Sequence, residues 1–150
     1  MVKRGHKVNI VCYDPEPTWI KVKANYIQVP FGHGLAESIP ETDVIVTTVW
    51  DQMIDCYLIQ KAPVIHFEHG DIYIFEFENY NNDTQELWKQ RWSVPIPILA
   101  VSSGLAAQIE KTLNENTSDK NICFMNICSD YTATAYRCKL LTKLYGHSSK

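Results

Sequence analysis

Six short runs of β-branched and other apolar residues, spaced along the chain by polar or amphipathic stretches, constrain its fold more than any other feature. They are Lys7–Tyr13, Asn25–Val29, Asp43–Val49, Pro63–Phe67, Ile98–Ser102 and Ile122–Cys128. Each has the length and composition of a strand. The clearest, Asp43-Val-Ile-Val-Thr-Thr-Val49, is nearly continuous in apolar residues rather than alternating, the pattern of a parallel strand covered by helices on both faces. Asp14-Pro15-Glu16-Pro17 ends the first run, because two prolines remove backbone donors. Pro30 and the Gly32-His33-Gly34 turn close the second.

Between the later runs the spacing predicts helices. One covers 50–61, with Met53, Ile54, Tyr57 and Leu58 at helical intervals. A second starts at Asp83 as N-cap, with Glu86 three residues on, runs through Leu87, Trp88 and Trp92, and stops at Pro95 and Pro97. A third spans about 104–113, with Leu105, Ile109 and Leu113 on one stripe. A last helix is expected over Tyr131–Tyr145, and the aromatic, acidic stretch Asp71–Asn82 has no clear period. Strands alternating with helices in this way imply βαβ units, right-handed crossovers and a mostly parallel sheet, so the class is α/β.

The 150 residues suffice for one core, and a hydrophobic fraction of 45% excludes an intrinsically disordered chain. A net charge of −3 argues against a dedicated nucleic-acid or anionic-membrane binder. No apolar run is long enough to span a membrane, and no signal core follows Lys3-Arg4, so a cytoplasmic location is expected. Five cysteines, an odd number in mainly apolar segments, read as reduced thiols, and Cys123 and Cys128 lack the spacing of a zinc knuckle.

Open parallel sheets bind ligands beyond the carboxyl ends of their strands, where loops converge and helix N-termini present unpaired donors. That rule selects Asp14, Trp50 and Asp51, then Glu68, His69 and Asp71, then Ser102 and Ser103, and finally Ser129 and Asp130. The densest group is His66-Phe67-Glu68-His69-Gly70-Asp71. Strand alternation puts His66 and Glu68 on one side and Phe67 and His69 on the other, which is not a two-histidine metal site. His69, before a glycine at a strand end, suits a hydrogen-bonding or acid/base role, with a structural histidine as the alternative. Asp71 and Ser102 read equally as helix caps, and Trp50 and Tyr73 as sugar-stacking or core aromatics.

Four segments carry a resemblance to a known family. Met1-Val-Lys-Arg-Gly-His-Lys-Val8 resembles the junction of first helix and second strand in the retaining glycosyltransferases of family four, also called group 1. Asp43-Val-Ile-Val-Thr-Thr48, Pro63-Val-Ile-His-Phe-Glu-His69-Gly70 and Ala100-Val-Ser102-Ser-Gly-Leu-Ala-Ala107 follow in the family's order and spacing. The resemblance implies the N-terminal, acceptor-side Rossmann-like domain of a GT-B fold over residues 1–130, lacking its first strand, with a C-terminal helix and tail over 131–150. His69 matches the histidine that contacts the donor sugar near the reacting carbon, and Ser102 the serine ending the next strand. Asn126-Ile-Cys-Ser-Asp130 stands where the family usually reads Asn-Gly-Ile/Val-Asp, with the glycine replaced and one residue more before the aspartate. The implied roles are His69 as catalytic residue and Trp50, Glu68, Asp71, Ser102 and Asp130 as substrate-binding residues. A nucleotide sugar is the implied donor substrate and a sugar the acceptor, with no metal or other cofactor. The family's second domain has no counterpart after Asp130, so sugar transfer by this chain alone is not expected. The alternative readings are a Rossmann-like interaction module, using aromatics such as Tyr73, Phe75 and Phe77 and an open sheet edge to hold a partner chain or second copy, and an inactive remnant.

Overall fold

The computed structural model describes residues 1–116 and 124–126. A strand forms within each of the six runs: β1 (Asn9–Cys12), β2 (Asn25–Gln28), β3 (Ile45–Thr47), β4 (Val64–Glu68), β5 (Ile98–Ala100) and β6 (Phe124–Asn126). Every pairing is parallel, so the chain is mixed α/β with parallel sheets. The strands divide between a two-stranded sheet, β1-β2, and a four-stranded one, β3-β4-β5-β6. The chain forms two compact units, Met1–Asp43 and Val44–Lys150, one around each sheet.

The first unit opens with a 3-10 turn, Val2–Arg4, closed by Gly5 at φ 86°, a left-handed cap that favours glycine. β1 and β2 pair from Asn9↔Asn25 to Cys12↔Gln28. The Asn25 amide donates to the Val8 carbonyl and the Val29 amide to the Cys12 carbonyl, which extends the ladder at both ends. Beyond β1 the Tyr13 hydroxyl donates to the His33 carbonyl at 2.9 Å and its ring meets Phe31 at 5.7 Å. Val29 and Ala36 are the buried apolar residues of this unit.

Among the described residues the second unit holds four α-helices. α1 (Met53–Leu58) follows a 3-10 turn at Trp50–Gln52, α2 (Ile72–Phe75) precedes another at Phe77–Asn79, and α3 (Asn82–Trp92) and α4 (Ser103–Asn116) flank β5. The pleat places Ile45, Thr47, Val64, His66, Glu68, Ile98 and Ala100 on the buried side of the sheet. Trp50, Met53, Trp88 and Trp92 join that core, with Leu105, Ile109 and Leu113 of α4. The α4 stripe is thus as the sequence predicts. Val46 is 46% exposed, so β3 is not covered on both faces as its apolar run suggests; among the described residues it ends its sheet, paired with β4 alone.

Other local readings change. α1 buries Met53, as expected, and Cys56 one turn on, while Tyr57 and Leu58 are exposed. α3 is capped by Asn81, whose Oδ1 accepts from the Thr84 amide at 2.9 Å, so Asp83 lies in the first turn and is not the N-cap. The stretch without period contains the four-residue α2. The expected helix over 131–145, Ser129 and Asp130 lie outside the described residues. Among the described residues no helix is long and apolar enough to cross a membrane.

Candidate functional site

The carboxyl end of β4 is organised around a buried polar chain. Thr47 of β3 stands in register with His66 of β4, and its hydroxyl lies 3.0 Å from His66 Nδ1. His66 Nε2 lies 3.2 Å from Glu68 Oε2, two residues along the same face. Glu68 Oε1 accepts from the amides of Gly70, at 2.6 Å, and Asp71, at 2.7 Å. All three side chains are buried, with His66 at 0% and Glu68 at 2% exposure. An imidazole with a proton on Nε2 donates to Glu68 and accepts at Nδ1 from the Thr47 hydroxyl, which satisfies every polar atom along the chain.

Burial alone pushes the Glu68 carboxyl up. Hydrogen bonds from His66 and from the Asp71 and Gly70 amides outweigh it and hold the group below the usual carboxylate value. Glu68 is therefore a fixed anion under the turn. Trp50 closes the network, its ring 4.2 Å from that of His66 and edge-on to Trp88 and Trp92 at 6.4 and 6.1 Å. The indole nitrogens of Trp50 and Trp92 are buried without a hydrogen-bond partner among the described residues.

This anchored base carries the exposed groups. Gly70, at φ 116°, turns the chain outward, and His69 beside it is exposed, with its ring nitrogens unbonded among the described residues. Asp71 caps α2, its Oδ1 accepting from the Tyr73 amide at 3.1 Å. The Val101 amide donates to the Glu68 carbonyl, which brings the end of β5 alongside. Ser102 follows there and caps α4, its hydroxyl accepting from the Leu105 amide at 3.2 Å. His69, Asp71 and Ser102 thus share one end of the four-stranded sheet and offer an imidazole, a carboxylate and a hydroxyl.

Two of the residues selected from sequence lie beneath that surface instead. Trp50 is fully buried and has no face open for a sugar. Glu68 has both oxygens engaged, so it shapes the turn without contacting a ligand. Of the three aromatics, Phe77 is buried and Tyr73 is half-buried against Tyr80 and Trp88, leaving Phe75 exposed at 55%. Asp51, after β3, pairs with Arg91 at 2.6 Å, and the Arg91 guanidinium lies 4.7 Å over the Trp88 ring. Asp14 lines a separate cavity of about 520 Å³ in the first unit with Glu16, Trp19 and Tyr26. Alternation in the sequence already put His66 and Glu68 on one face; the partnership with Thr47 depends on strand order, which no local pattern encodes.

Among the described residues no group of three His, Cys, Asp or Glu side chains is placed to hold a metal ion. No protein-family model matches the chain, and comparisons with curated proteins and with solved structures likewise give no match.

Proposed function

We propose that the chain is a Rossmann-like domain providing the acceptor side of a glycosyl-transfer site, similar to retaining glycosyltransferases of family four. The observation that carries this reading is the exposed His69 imidazole on a turn held from below by Glu68, with Ser102 at the neighbouring strand end. Glycosyl transfer requires an acceptor hydroxyl fixed in orientation beside the reacting carbon. A turn whose amides are tied to a buried carboxylate supplies a rigid mount for the imidazole. His69 would orient the substrates at the reaction centre, while Asp71 and Ser102 contact acceptor hydroxyls. In the family the chain resembles, the nucleotide of the donor sugar is gripped by a second domain.

The test is titration of the isotopically labelled chain with simple neutral saccharides. His69 and Ser102 resonances are expected to move, and His69→Ala to abolish the response. Saccharide effects confined to other parts of the chain, or sugar transfer from a nucleotide sugar by the purified 150-residue chain alone, refute the reading.

A second reading draws on the exposed Ile72 and Phe75 of α2, at 52% and 55%. As an interaction module, the chain would use them against a partner or second copy. Size-exclusion chromatography should then show a complex that Phe75→Ser disrupts, and a monomer that captures no partner counts against it.

A further inference from the structure

We propose that Glu68 acts as a built-in anion that fills the oxyanion cradle of the 69–71 turn, so that this end of β4 accepts uncharged, hydroxyl-bearing ligands in preference to phosphate-bearing ones. The proposal rests on the reading of that end as the binding site and narrows its substrate class.

Two successive backbone amides, those of Gly70 and Asp71, converge on a single oxygen, Glu68 Oε1. With Gly70 at positive φ, this is the geometry of a backbone nest, a concavity that elsewhere takes phosphate or carboxylate. Strand-end turns of α/β sheets commonly use such amides to grip a ligand's phosphate. Here the cradle is occupied from inside the protein. The occupant is fixed at its rear as well, since Oε2 meets His66 Nε2, and His66 is held in turn by Thr47. A phosphate would have to displace a 2%-exposed carboxylate and leave it without its donors.

Neighbouring donors are committed in the same way. The Tyr73 amide donates to Asp71 Oδ1 and the Leu105 amide to the Ser102 hydroxyl. The charges agree with this, because Glu68 and Asp71 would repel an incoming dianion, and Arg91 is engaged by Asp51. A sugar hydroxyl meets no such opposition: it can donate to Asp71 and accept from His69. Glu68 is therefore a specificity-determining residue that never touches the ligand.

Inorganic phosphate is the probe, added in the millimolar range at neutral pH while amide resonances are followed. In the wild-type chain the Gly70 and Asp71 signals are expected to stay in place. In Glu68→Ser, which empties the cradle, they should move saturably with phosphate. Saturable movement in the wild type, or a folded Glu68→Ser that ignores phosphate, overturns the proposal. Should Glu68→Ser fail to fold, Glu68→Gln keeps the volume and removes the charge. Its Gly70 and Asp71 amides should shift upfield as their bonds lose charge assistance, and unchanged positions overturn the proposal. A missing saccharide response at His69 overturns the glycosyl-transfer reading and, with it, the preference for hydroxyl-bearing ligands; the exclusion of phosphate by Glu68 is read separately from the Glu68→Ser titration.

Discussion

Glu68→Gln removes one buried charge while preserving shape, and its cost can be worked from the geometry. The wild-type carboxylate accepts from Gly70 at 2.6 Å, from Asp71 at 2.7 Å and from His66 at 3.2 Å. The Gln carbonyl can still accept from both amides, but its amide group then faces His66 Nε2. That ring must present a lone pair there and donate from Nδ1 to the Thr47 hydroxyl. Hydrogen bonds to a charged group contribute about 1.5–3 kcal/mol and neutral ones about 0.5–1.5. Two weakened amide bonds therefore come to about 2 kcal/mol, and relief from burying the charge returns part of it. The expected destabilisation is about 1–2 kcal/mol, against about 3–5 kcal/mol for Glu68→Ala, which leaves His66 and two amides unpaired. Urea unfolding followed by tryptophan fluorescence measures both, because Trp50, Trp88 and Trp92 are buried around this network while Trp19 is 84% exposed. The pH dependence is the sharper check. The Glu68 carboxyl is held below its ordinary value of 4.5 in the folded chain, so its contribution is complete above that value and disappears as pH falls through the folded one. The gap between wild type and Glu68→Gln should be constant from neutral pH down to about 4.5 and close below it. A gap absent at neutral pH, or one unchanged to the lowest pH at which both proteins stay folded, refutes the account of Glu68 as a stabilising anion.

Four further outcomes follow from the same structure. His69→Ala should leave the urea midpoint unchanged, since the side chain is exposed and unbonded among the described residues; a loss above about 1 kcal/mol makes His69 structural. Gly70→Ala should cost about 1–3 kcal/mol from backbone strain at φ 116°, whereas Gly104→Ala, in the first turn of α4 with open space around the added methyl, should stabilise by about 0.5–1 kcal/mol; thermal melts in which the two agree in sign contradict the backbone assignment. Ser102→Ala should cost about 1 kcal/mol by removing the α4 cap, and an unchanged melting temperature argues against the Leu105 hydrogen bond. Cys56 is buried, and burial with the nearby Asp55 charge pushes its thiol up, so position-resolved alkylation at neutral pH should label the partly exposed Cys12 well before Cys56.

The strands were legible because each falls within a short run rich in β-branched or other apolar residues, a signal local to the element that carries it. The helices were legible in proportion to length: the α4 stripe of Leu105, Ile109 and Leu113 shows its period, whereas the four residues of α2 complete barely one turn. Caps shifted for a related reason, since Asn81 and Asp83 are both good cap residues and only the backbone decides between them. Site residues were found by position but not by depth. Glu68 ends β4 and Trp50 lies just beyond β3, close to where they were expected, yet burial is decided by what packs above them, and Trp88 and Trp92 come from a helix more than thirty positions further on than Trp50. The amide cradle left no trace in side-chain identity beyond Gly70, because its donors belong to the backbone.

β3 gives the chain a colloidal liability as well as a structural role. It ends the four-stranded sheet with Val46 turned to solvent inside the run Val44-Ile-Val-Thr-Thr-Val49. Among the described residues no strand pairs with the outer margin of β3, and the run carries no lysine or proline, so only the shortness of the strand limits its use as a template for another extended chain. Cross-β pairing at this margin would compete with folding, and the competition would grow with concentration. Position 46 is where a gatekeeper charge would do most to suppress it, at a site remote from the buried network on the other face.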